Sequence, residues 1–172
     1  MQVSSKTKAS IDSVSAEVAP PRAVDRAEEP HLPSPWLAAR LLGALSLLSV
    51  GAVHLQQYDY LYSTIPTIGR LFLLNFIGAT AIGLGLLAPV ERLLGRLGAP
   101  ALALLTLGAI GLAASAFVFL LIAEHTPLFG FMEPDYDPPA ILAARVSEAI
   151  TVVTLAGYLA ARFRWRKTAG AW

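Results

Sequence analysis

The stretch PALALLTLGAIGLAASAFVFLLIA, residues 100–123, holds no ionisable side chain. About 20 apolar residues in helical form span the hydrocarbon core of a bilayer, so this segment by itself predicts a membrane helix. Two similar segments precede it and one follows. Residues 36–55 include LLGALSLLS at 41–49 and carry one charge, Arg40, close enough to the start to snorkel. Residues 71–90 have Asn75 as their only strongly polar member, and residues 140–161 are apolar apart from Arg145, Glu148 and several hydroxyls. A chain of 172 residues is too small to wrap four such helices in a soluble core. The expected fold class is therefore all-α, a membrane-embedded four-helix bundle over residues 36–167.

Composition agrees, since 55% of the residues are hydrophobic and 15% charged, outside the usual range of soluble domains. The chain has no cysteine, which excludes disulfides, thiolate metal sites and thiol redox chemistry. A net charge of +1 is close to neutral, and no nucleic-acid footprint is visible. Residues 1–35 are rich in Ser, Ala, Pro, Glu and Lys without apolar periodicity, and are expected to form a disordered cytoplasmic tail. Because this polar stretch precedes the first span, that span is expected to stay as an anchor and not to be cleaved as a signal. Residues 168–172 form a short C-terminal tail.

The connections sort by charge. Arg40, Arg92, Arg96, Arg162, Arg164, Arg166 and Lys167 fall on one side of the spans, whereas only Arg70 and Arg145 fall toward the other. Lys and Arg accumulate on the cytoplasmic side of membrane proteins. The expected location is thus the cytoplasmic membrane, with both termini inside and the connections near residues 54–68 and 124–139 outside. Arg162, Arg164, Trp165, Arg166 and Lys167 are expected to anchor the last helix to anionic lipid.

The outward side also collects the candidate functional residues. Glu148 lies well inside the fourth span, where a carboxylate is costly unless protonated or paired, and such residues often mark ion, proton or substrate paths. Arg145 is three residues away on the same face and could neutralise it; Ser147 and Thr151 extend a polar stripe beside them. With Asn75 and Arg70 from the second span, and Tyr58, Glu133, His54 and His125 at the rim, these residues outline a polar pocket. A structural seam that only packs helices would use the same residue types. His54 and His125 end two different spans at similar depth, so a pair of imidazoles could hold haem or a divalent metal. A faint duplication runs through the set: His54, Arg70 and Asn75 in the first half correspond to His125, Arg145 and Glu148 in the second.

The motifs GAVHL at 51–55, IPTIG at 65–69 running into LFLLN at 71–75, and LFGF at 128–131 followed by Glu133 resemble those of an uncharacterised family of small four-span integral membrane proteins from high-GC bacteria. A more distant likeness is to DoxX-like four-helix membrane proteins. The resemblance implies the four-span architecture and brings no activity with it. No nucleophile with a nearby base, phosphate loop or ligand cluster points to an enzyme. The expected function is a binding or accessory membrane protein with an outward-facing polar pocket, acting alone, as a homo-oligomer or within a larger membrane complex. The alternatives are a haem- or metal-binding oxidoreductase component and a small proton-coupled transporter acting as an oligomer.

Overall fold

The structure is a computed structural model describing residues 34–133 and 137–169, with side chains through residue 162. The expected tail therefore lies outside the described residues except for its last two positions, as do residues 170–172. Four long helices form the body: α1 (Pro35–Tyr60), α2 (Pro66–Leu87), α4 (Gly98–Ala123) and α5 (Pro138–Ala169), with a short α3 (Val90–Leu93) between α2 and α4. All four long helices are long and apolar enough to cross a membrane, and the chain is a multi-pass, all-α membrane protein.

The helices run up, down, up and down. α1 packs between α2 and α5, and α4 closes the bundle against the same two, diagonally across from α1. One end of the bundle therefore holds the α1–α2 and α4–α5 connections, and the other holds the start of α1, the α2–α4 connection and the far part of α5.

Local chemistry explains the boundaries. Ser34 caps α1, its hydroxyl accepting from the Leu37 amide at 3.4 Å, and Pro35 takes the first helical position, where no amide is needed. Pro66 opens α2 in the same way, and Pro89 follows its last turn. Asp137 caps α5, accepting from the Ala140 amide at 3.2 Å. Three spans begin or end a turn or more away from where hydropathy places them, α5 by continuing past residue 161 to Ala169, into the expected C-terminal tail. α1 continues through polar Gln56, Gln57 and Asp59 to Tyr60, and α2 starts at Pro66, before the charged Arg70. Helical hydrogen bonding does not stop where apolarity does, because a wet helix end keeps its backbone satisfied.

Packing is uneven along the bundle. Ala44, Leu47, Ala79, Leu86, Leu102, Ala109, Leu155 and Tyr158 form a closed core in the half away from the α1–α2 and α4–α5 connections. Small residues at Ala44, Ala79 and Ala109 let the backbones approach, which is how helices associate where lipid offers no hydrophobic drive.

Candidate functional site

Toward the other end the helices part around a cavity of about 250 Å³. Its wall takes Val53, His54 and Gln57 from α1, Phe72 and Asn75 from α2, Ser115 and Phe119 from α4, and Ala144 and Glu148 from α5. Leu128, Phe131, Glu133 and Asp137 close it from the α4–α5 connection, and Tyr62 from the turn between α1 and α2.

Two loop motifs build the cover. In the 3-10 turn Tyr62–Thr64, the Ile65 amide donates to Tyr62 O at 3.0 Å. Gly69, in the first turn of α2, lets this turn lie close: a Cβ there would stand 2.6 Å from Tyr62 O. In the second motif, Leu128 and Phe131 exchange both backbone hydrogen bonds, at 2.6 and 3.0 Å, across Phe129 and Gly130. Both central residues have positive φ, 52° and 79°, the geometry of a tight two-residue reversal. The reversal aims Leu128 and Phe131 at the cavity and leaves Phe129 60% exposed. The Glu133 amide then donates to Ala123 O at 2.8 Å, tying the cover to the end of α4.

The aromatic side chains form one continuous wall. Tyr62 stacks on Phe72 with ring centroids 4.5 Å apart, Phe131 meets Tyr62 edge-on at 5.5 Å, and His54 tilts against Phe72 at 5.0 Å. His54 Nδ1 is 2.9 Å from Val50 O, a group that can only accept, so Nδ1–H donates and Nε2 keeps its lone pair. At the rim Tyr62 donates to Glu133, and Gln57 donates to Asp137 at 2.8 Å.

The deep end is different. Glu148 is 1% exposed, and among the described residues its Oε2 has no hydrogen-bond partner. The Oδ1 of Asn75, across the cavity on α2, is likewise buried and unpartnered among the described residues. At 1.5 Å per residue Glu148 sits about 15 Å along α5 from Pro138, near the middle of a membrane span.

The candidate residues of the sequence divide between this cavity and other places. Glu148, Asn75, His54 and Glu133 line it. Arg145 does not pair with Glu148; its guanidinium is held by Glu124 at the end of α4. Ser147 and Thr151 are buried but turn their hydroxyls to their own helix, Ser147 to Ala143 O at 2.7 Å and Thr151 to Ser147 O at 2.8 Å. Hydroxyls in lipid commonly find this local acceptor, which removes them from the pocket. Tyr58 is replaced at the rim by Tyr62, because the extension of α1 turns Gln57 inward and Tyr58 away. Arg70 is exposed on α2 and does not line this cavity. His125 is exposed at the end of α4 with Nδ1 2.9 Å from Leu121 O, so the structure does not bring the two histidines into one site. Among the described residues no three His, Asp or Glu side chains gather as a metal centre.

A larger groove of about 530 Å³ lies at the opposite end, beside Trp36, Arg40, Glu91, Tyr158 and Arg162. Its two arginines share one carboxylate, Glu91. Arg40, expected to snorkel, instead donates to Leu86 O and Ala88 O, both at 2.6 Å, and pairs with Glu91 at 3.4 Å. Arg162, expected to anchor in lipid, donates to Glu91 and to the Tyr158 hydroxyl, both at 2.9 Å. The side chains of Arg164, Trp165, Arg166 and Lys167 lie outside the described residues.

Compared with models of protein families, with curated proteins and with solved structures, the chain matches none. The chemistry of the cavity is therefore the ground for any functional reading.

Proposed function

We propose that this protein is a binding or accessory membrane protein of the cytoplasmic membrane, with the cavity opening on the outward half. Orientation rests on the positive-inside rule: Arg92 and Arg96 are exposed in the α2–α4 connection, at the same end as Arg40 and Arg162. The observation that carries the binding role is Glu148, a buried carboxyl group whose Oε2 has no hydrogen-bond partner among the described residues, on the wall of a cavity inside a membrane bundle. An intramembrane ionisable group left in this state is by default a functional one. Extraction of small molecules from protein purified into nanodiscs, followed by mass spectrometry, tests the reading. The wild type should carry a molecule that Ser115→Trp, which plugs the cavity wall, excludes. Equal content in the two proteins would sink it.

The same carboxyl group favours a second reading, a small proton-coupled transporter acting as a homo-oligomer, since an unpartnered acid in a cavity can take up and release a proton as a ligand leaves and enters. Four spans offer little room for a pathway, so this reading requires more than one copy. A strict monomer in nanodiscs excludes it.

A further inference from the structure

We propose that the cavity takes a small amphipathic organic cation, a protonated amine carrying an aromatic or apolar body. The inference rests on the binding role above and names its ligand class.

Of the three buried polar atoms without a hydrogen-bond partner among the described residues, the two on the cavity wall, Glu148 Oε2 and Asn75 Oδ1, are both acceptors, and the third, Arg145 Nε, is a donor that lies outside the wall. A matching ligand must bring donors. The cavity wall contains three carboxylates and, among the described residues, no Lys or Arg. The nearest strong cation in sequence, Arg145, is engaged by Glu124 and leaves Glu148 without a hydrogen bond. An ammonium group supplies both needs at once, a positive charge for the carboxylate and up to three N–H donors to share with the amide oxygen.

The rest of the wall specifies the body of the ligand. Phe72, Tyr62, Phe131 and His54 present a continuous aromatic surface, which attracts a cation electrostatically and packs against a ring. Leu74, 62% exposed, and Phe119, 43% exposed, belong to the same wall, so the cavity also opens sideways between α2 and α4 onto the surface that faces lipid. An amphipathic amine that has partitioned into the bilayer reaches that opening directly. The volume, about 250 Å³, sits just below the common range for ligand pockets and restricts the ligand to a small one.

The test is calorimetric titration of the full chain in nanodiscs with phenethylammonium and with 2-phenylethanol, its near-isosteric neutral counterpart. Phenethylammonium should bind the wild type about tenfold or more tightly than 2-phenylethanol, the size of one charge-assisted hydrogen bond. Glu148→Gln should remove that preference, weakening phenethylammonium far more than 2-phenylethanol. Asn75→Leu, measured alongside in case Glu148→Gln does not fold, should reduce the preference severalfold. Equal binding of both probes, or a preference that survives both substitutions, overturns the cation assignment and leaves the pocket standing. Binding of neither probe overturns it too, and the extracted-molecule experiment then decides separately whether the pocket binds anything.

Discussion

Arg145 of α5 donates to Glu124 at the end of α4, and not to Glu148 three residues along its own helix. The two carboxylates compete for one guanidinium, and the interhelical partner at the cavity's outer edge holds it. Removing that partner should redirect the arginine. Glu124→Gln frees Arg145 to turn one helical step inward toward Glu148, with a cost to stability of only ~1 kcal/mol because the pair is partly exposed. The expected outcome is a clear loss of phenethylammonium binding with 2-phenylethanol unaffected, read by the same titration. Unchanged amine binding in a folded protein would show that Arg145 cannot reach Glu148.

The hydroxyls beside Glu148 provide the contrast. Ser147 and Thr151 sit on the same helix and are buried, yet each donates to a carbonyl of α5. Ser147→Ala and Thr151→Val should therefore leave binding of either probe unchanged and lower stability by ~1 kcal/mol, the net worth of one hydrogen bond. A large binding defect in either variant would place those hydroxyls in the pocket.

How much of this was readable beforehand follows from helix phase. A lone polar residue inside an apolar run can go only to the bundle interior, to a snorkelling position or to a cavity, so Asn75 and Glu148 were identifiable from sequence, and both line the cavity. At helix ends the same logic fails. Whether Tyr58 or Tyr62 faces inward depends on α1 continuing to Tyr60 and then breaking into a 3-10 turn, which hydropathy does not report. Arg145 had an acid three residues away in sequence and another on a neighbouring helix, and only the tertiary arrangement chooses between them. Arg40 is the same case, since its acceptors, Leu86 O and Ala88 O, exist only because α2 ends beside the start of α1.

Arg40 closes the end of the bundle opposite the cavity. Its residue is 9% exposed, and it satisfies two carbonyls at the C-terminus of α2 while pairing with Glu91. Cations at a helix C-terminus complement its dipole, and buried acceptors deprived of a donor are costly. Arg40→Met should lower stability by ~1–3 kcal/mol, the cost of leaving buried acceptors without their donor. Arg40→Lys should recover little of it, because one ammonium cannot reproduce the spread of the guanidinium fork. Thermal unfolding in a single detergent measures both; equal stability of Arg40→Lys and wild type would show that charge alone suffices.

Phe129 holds a left-handed backbone at φ 52° without being glycine, and its side chain is 60% exposed. That conformation costs an L-residue roughly 1–2 kcal/mol, and Gly130 beside it shares the turn without the same penalty. Phe129→Gly keeps the reversal that aims Leu128 and Phe131 at the cavity and relieves the strain, at the cost of a looser unfolded chain. The two effects oppose, and the backbone strain is the larger, so a net gain of up to ~1 kcal/mol is expected in detergent. In nanodiscs the gain should shrink if the exposed ring inserts into the bilayer interface, where aromatic side chains are favoured. Comparing the unfolding temperature of the variant and the wild type in the two media separates these contributions. Destabilisation of equal size in both would mean that the ring, and not the backbone, holds the cover of the cavity in place.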